Sequence, residues 1–253
     1  MNVTRGLKQC KLISTAVESD TIQTRRKSQH HYLDMDLSTL FPPQVAIVSA
    51  TNEMWTSPLC SEEEKLIEGS VAKRQREFRA GRNAAHAALE RLDAPPGPLL
   101  RNENRQPVWP QGFLGSISHC NDSCVAACAA AGELVSIGVD VEPLKPLSTG
   151  IARYIDTDEE SAFMARHGEL PRRLIFSAKE SLYKCYHPLI RRFFGFHSVS
   201  LDIDISNRRF NFTPTEACKV EFPQALEFHG RFLVGESHLY TGCFLTAAAS
   251  ATD

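Results

Sequence analysis

Residues Cys124–Glu142 read CVAACAAAGELVSIGVDVE, two runs of small and β-branched residues broken at Gly132-Glu133. Short apolar runs of this kind on either side of a glycine-containing turn predict two strands, Cys124 to Ala131 and Leu134 to Glu142, joined as a hairpin. Pro143 and Pro146 end the second run, because proline cannot donate to a sheet ladder. Within it the valines alternate with Asp140 and Glu142, and the two-residue period of a strand puts both carboxylates on one face. Such a pair suits a hard, small cation, which takes one or two carboxylates and fills its other positions with water and phosphate oxygens. Magnesium fits that description better than zinc. Standing alone, the same pentad is equally an exposed acidic strand end.

Upstream, Val45–Ala50 is a short β-branched strand after a Pro-Pro break, and Ser61-Glu-Glu-Glu opens a helix with acids in its first turn. Val71 to Leu92 reads as a strong helix closed by Asp93-Ala-Pro-Pro-Gly. On a helical wheel Val71, Phe78, Ala85 and Leu89 form one apolar stripe, with Arg82 in its middle and Arg74 at its edge, an unusual place for arginine. Arg76 and Arg79 fall outside it and read as solvated. Short strands are expected around Leu99, Val108 and Ile117, helices over Asp156–His167 and Leu174–Tyr186, and a β-rich tail from His197. The polar residues 1–40, with a basic run at Arg25, Arg26 and Lys27, read as an irregular extension. Cys243-Phe-Leu-Thr-Ala-Ala-Ala echoes Cys124-Val-Ala-Ala-Cys-Ala-Ala, and both halves run helix then strands. An internal duplication on that basis predicts two similar lobes, residues 41–133 and 134–253, with a ligand cleft between them.

A second cluster of chemistry is Phe176-Ser-Ala-Lys-Glu-Ser-Leu-Tyr-Lys184. Ile175, Ala178, Leu182 and Cys185 share one helical face, while Ser177, Glu180, Lys184 and His187 share another. Glu180 and Lys184 are thus either a surface ion pair or a metal ligand or base beside an ammonium that meets a phosphate. Ser118 and His119, in Gly115-Ser-Ile-Ser-His-Cys120, can donate hydrogen bonds to a phosphate. Arg105, in the turn Asn104-Arg-Gln-Pro-Val-Trp-Pro110, reads as a loop cation. Cys120, Cys124 and Cys128 recur every four residues, which on a strand puts three thiols on one face and argues against zinc. Arg191, Arg192, Phe193, Phe194 and Phe196 offer a basic and aromatic strip, of which at least two phenylalanines are expected in the core.

The whole sequence carries a formal net charge of −2, so no global positive field draws it to nucleic acid, and an anion site must come from local clustering. Its apolar runs are shorter than a membrane helix requires, it opens on no signal pattern, and its eight cysteines contain no CxxC pair. A cytoplasmic protein with reduced thiols is expected.

Together, Lys73–Arg82, Arg105–Pro110, Gly115–Cys120, Gly138–Glu142 and Phe176–Lys184 resemble the 4′-phosphopantetheinyl transferases, and most closely the branch of the enterobactin synthase component D type. The resemblance spans roughly residues 41–245. It implies an α+β fold of two similar lobes related by a pseudo-twofold axis. It also implies transfer of the phosphopantetheine arm of coenzyme A to a serine of apo peptidyl or aryl carrier domains of a siderophore synthase; two lobes in one chain would let a monomer supply both sides of the cleft. By the family pattern Asp140 and Glu142 hold Mg²⁺, and Glu180 is third ligand, base, or both. Lys184 lies near the diphosphate, Ser118 and His119 hold coenzyme A phosphates, and Arg74, Arg82 and Arg105 hold the 3′-phosphate region. Two other classes compete: a metal-dependent phosphohydrolase of nucleotides or coenzyme A, and a silent coenzyme A-binding component of a synthase complex.

Overall fold

Cys124–Ala130 does form a strand, β3, but as the middle member of a three-stranded antiparallel sheet, between β1 (Val45–Ser49) and β2 (Phe113–His119). This computed structural model describes residues 36–147, 149–167 and 169–248. The expected irregular extension therefore lies outside the described residues up to residue 35. Leu37–Leu40 form a 3₁₀ turn whose Leu40 is fully buried.

The expected hairpin is corrected. β4 (Leu134–Pro143) does not pair with β3 but begins a second, five-stranded antiparallel sheet in the order β4-β8-β7-β6-β5. The remaining strands of that sheet are β5 (Val199–Asp204), β6 (Arg209–Pro214), β7 (Leu226–Val234) and β8 (His238–Ala247). The reason lies in the ladder: β1 and β2 already occupy both edges of β3, leaving it no free hydrogen-bonding edge. Gly132, at φ +156°, turns the chain out of the first sheet.

Helix α1 (Ser61–Lys65) precedes α2 (Ala72–Glu90), which lies on the first sheet and buries Phe78, Ala85 and Leu89 as its stripe requires. Val71 stands just before the helix and is 73% exposed, so it leaves the stripe. Arg79, expected in solvent, instead grips Glu64 through two hydrogen bonds of 2.8 Å. The strands expected near Leu99 and Val108 reduce to a single bridge between Arg101 and Pro107, in a segment where prolines remove ladder donors.

Helices α3 (Thr149–Ile155) and α4 (Asp158–His167) lead into α5 (Glu169–Ile190), longer at both ends than its periodicity indicates. Ile175, Ala178, Leu182 and Cys185 of α5 are all fully buried in the core it shares with the second sheet. The α+β class holds.

The two sheets meet along β2 and β4 without a backbone ladder. Val139 N–H donates to Ser116 Oγ at 3.0 Å, and Val141 N–H to Ser118 Oγ at 3.3 Å. Serine hydroxyls thus stand where carbonyls of a neighbouring strand would otherwise be.

Candidate active site

Asp140 projects from β4 into this seam and is almost wholly buried. Ser118 Oγ donates to its Oδ1 at 2.8 Å, Lys184 Nζ to the same oxygen at 2.8 Å, and Ser177 Oγ to Oδ2 at 2.7 Å. One carboxylate therefore gathers β2, β4 and α5. Ser118, expected on a phosphate, commits its hydroxyl proton to Asp140 in this arrangement.

Glu142, two residues on and on the same face, accepts from Arg173 Nη1 at 2.6 Å. Burial, then the neighbouring Asp140, raises its pKa above the ordinary glutamate value, with Arg173 and Lys184 opposing. Glu180 faces them from α5. Burial is the first cause of its raised pKa, and Asp140 and Glu142 add to it while Lys184 opposes. Among the described residues no side chain or backbone group hydrogen-bonds its carboxylate. Three carboxyl groups thus concentrate negative charge around one lysine ammonium and one guanidinium. The donor set is hard oxygen, the chemistry a magnesium-type ion prefers, although the three carboxylates do not all lie within 4.8 Å of one another.

The second half of the site is cationic. His119 lies with Lys73, Arg74 and Lys184. Burial lowers its pKa, Glu77 works against that, and the three cations add to it. Arg82, only 5% exposed, donates from Nε to Leu99 O at 2.8 Å, has its guanidinium carbon 4.6 Å from the centre of the Phe78 ring, and sits 3.8 Å from Glu63. Burial brings its pKa down to about 10, with Arg74 and Arg101 contributing, so it stays charged at neutral pH. Arg105 is placed differently: it is exposed at φ +63°, at a turn tip. Its turn is held near α5 through Gln106 Nε2, 2.6 Å from His187 Nδ1.

Sequence reasoning missed several supporting groups. Glu63 is buried and meets His86 Nε2 at 2.9 Å, Leu99 N–H at 3.0 Å and Cys60 Sγ at 3.2 Å, which explains how Arg82 tolerates its position. Arg101 is the exposed loop cation that Arg82 feels, and Arg173 holds Glu142. The glutamate run at Ser61 was visible as helix chemistry, whereas Arg173 lies just before the helix expected from Leu174, and nothing local ties either to residues far away in the chain. Beside Glu180, a cavity of about 160 Å³ is lined by Tyr183, Phe193, Phe194 and Phe196. Phe194 is core, Phe196 is partly buried against it, and Phe193 is 79% exposed next to Arg191 and Arg192.

Two family models match the chain. The 4′-phosphopantetheinyl transferase N-terminal domain covers residues 62–129, and the 4′-phosphopantetheinyl transferase superfamily covers residues 136–234. The gap between them coincides with the turn where the chain changes sheets. Among curated proteins, the 4′-phosphopantetheinyl transferase Svp of Streptomyces mobaraensis is 35% identical over 78% of this chain and 82% of its own length. The 4′-phosphopantetheinyl transferase Npt of Nocardia iowensis is 34% identical over 75% and 88% respectively. Enterobactin synthase component D of Salmonella typhi is 37% identical over 45% of this chain and 49% of its own length.

Proposed function

This chain belongs to the 4′-phosphopantetheinyl transferase superfamily, and from that premise we propose that it loads a serine of an apo carrier domain from coenzyme A with Mg²⁺ at Asp140, Glu142 and Glu180. The observation that carries the metal assignment is that β4 and α5 place three carboxylates near enough to feel one another's charge, two of them with raised pKa values, beside Lys184 on Asp140. When bound, the ion would neutralise charge developing on the phosphoryl oxygens.

The serine hydroxyl attacks the β-phosphorus of coenzyme A. A phosphorus–oxygen bond to the carrier forms, the diphosphate bridge breaks, and 3′,5′-ADP leaves. Glu180, which makes no hydrogen bond of its own among the described residues, accepts the serine proton directly or through water. Lys184 holds Asp140 in place and lies beside the diphosphate. His119 faces the phosphates, and Arg74 and Arg82, with Arg105 on its turn, serve the 3′-phosphate region. The two sheets with their helices, residues 41–133 and 134–253, form the walls of the cleft.

The exposed Arg191, Arg192 and Phe193 beside the cavity at Glu180 suit an acidic, partly apolar carrier helix. The likeness to enterobactin synthase component D favours peptidyl or aryl carrier domains of a siderophore synthase, acted on in the cytoplasm by a monomer. No helix among the described residues is long and apolar enough to cross a membrane.

The test is to incubate the protein with coenzyme A, Mg²⁺ and an apo carrier domain and to weigh the carrier intact. The carrier gains the mass of one phosphopantetheine arm, and Asp140→Ala abolishes the gain while its circular dichroism stays native. Release of product from coenzyme A without a carrier would instead establish hydrolysis, and binding without either product a silent component.

A further inference from the structure

The turn after β2 and the turn before β8 meet at the end of the seam and bring together three side chains that the transfer does not use. Cys120 Sγ, an Asp122 carboxylate oxygen and a ring nitrogen of His238 all lie within 4.8 Å of one another, the one such group of cysteine, histidine and carboxylate ligand atoms found among the described residues. His238 Nε2 is 3.0 Å from Asp122 Oδ1, and Cys120 Sγ is 3.9 Å from the same oxygen. In four-coordinate zinc, bonds of about 2.0–2.3 Å set neighbouring ligand atoms about 3.3–3.7 Å apart. The two spacings to Asp122 Oδ1, 3.0 and 3.9 Å, bracket that edge, and the third lies within 4.8 Å.

The surroundings also resemble those of a ligand set. His238 Nδ1 lies 2.9 Å from Ser237 Oγ, an outer contact of the kind that fixes the ring of a metal-binding histidine. The His238 side chain is only 13% exposed while that of Asp122 is 73% exposed, so the group is held on one side and open to water on the other. A thiol, an imidazole and one carboxylate prefer a borderline cation to magnesium, the reverse of the all-oxygen cluster at Asp140. Cys124 and Cys128, which the strand period grouped with Cys120, are buried in β3. Cys120 stands beyond the end of β2, in one turn with Asp122 and beside His238 of the second sheet.

We propose that Cys120, Asp122 and His238 form a second cation site, for Zn²⁺ or a similar borderline divalent ion, which ties the β2–β3 turn of the first sheet to the β7–β8 turn of the second. On binding, the Cys120 thiol releases its proton to solvent as the sulfur–metal bond forms, and water takes the fourth position. The site shares no ligand with the carboxylate cluster and does not rest on the transferase reading. Because its ligands come from both sheets, occupancy stabilises the folded chain.

The test uses the full chain in excess Mg²⁺, titrated with Co²⁺ as a spectroscopic stand-in for zinc. One equivalent of cobalt produces a thiolate-to-cobalt charge-transfer absorption with the strong visible bands of a four-coordinate ion, and Zn²⁺ displaces it. Cys120→Ser abolishes the charge-transfer band, and Cys60→Ser, which removes an exposed thiol elsewhere, leaves it. Asp122→Ala, at an exposed side chain that does not endanger folding, weakens cobalt binding at least about tenfold. A wild-type protein without the sulfur–cobalt band, a band that survives Cys120→Ser or vanishes in Cys60→Ser, or an unchanged affinity in Asp122→Ala overturns the site.

Discussion

Glu180 is held with its carboxyl near two others and with no hydrogen bond of its own among the described residues, so its charge is a burden on the folded state. Its folded pKa is raised above 4.5, and a carboxyl raised in this way gives its full stabilisation below the unfolded value. As pH climbs from there through the folded pKa, the unfolded chain ionises first and that stabilisation is lost. Glu180→Gln removes the titration. With a chelator present, thermal melting of the variant should lie above wild type at pH 7 and converge on it below pH about 4, while carrier loading disappears. Equal melting temperatures at pH 7 would place Glu180 in a better-compensated setting. Arg82 shows the opposite solution to burial: its charge is kept, and Glu63, the Leu99 carbonyl and the Phe78 ring supply what water would have given.

Helix α5 and strand β4 carry the acidic half of the site, and their separation is set by Gly138. A Cβ at that position would collide with the Ser181 carbonyl oxygen and lie 2.7 Å from Cys185 N. The glycine of the Gly138-Val-Asp-Val-Glu142 segment therefore lets a helix backbone rest directly on a strand, which brings Lys184 onto Asp140. Gly138→Ala should force the two apart and cost about 2–3 kcal/mol in urea unfolding, with loss of carrier loading. An unaltered unfolding midpoint would mean that α5 can shift without penalty. The far side of α5 is pinned independently, because the buried Lys179 Nζ meets Glu160 Oε2 at 2.6 Å, Ile155 O at 2.8 Å and Phe196 O at 2.9 Å.

The molecule as a whole depends on a seam between two sheets that no continuous ladder crosses. Ser116 takes the place of a strand carbonyl for Val139 N–H, and Ser118 serves both Val141 N–H and Asp140. Ser116→Ala leaves the Val139 amide buried without its acceptor, which should cost about 2 kcal/mol. Urea unfolding followed by tryptophan fluorescence reads this directly, since Trp55 and Trp109 both pack within the first sheet's core. A midpoint within error of wild type would show that the seam does not need this hydroxyl. The two family matches end and begin on either side of the turn at Gly132, so the same seam joins the two matched regions.

Local periodicity determined a good deal of this. The alternation in β4 put Asp140 and Glu142 on one face, the three-and-four spacing of α5 separated its fully buried Ile175, Ala178, Leu182 and Cys185 from Glu180 and Lys184, and the stripe of α2 marked Arg82 as turned inward. Such patterns are legible because a side chain's direction follows from its position along one regular element. The pairing of β4 was not legible: a glycine turn between two apolar runs looks the same whether the second strand folds back on the first or leaves it. What decided the matter was that both edges of β3 were taken by strands distant in sequence, Val45–Ser49 and Phe113–His119. The same holds for Glu63 beneath Arg82, Arg173 on Glu142 and His238 beside Cys120. Each is a contact between segments far apart in the chain, and only the packed molecule brings them within reach of one another.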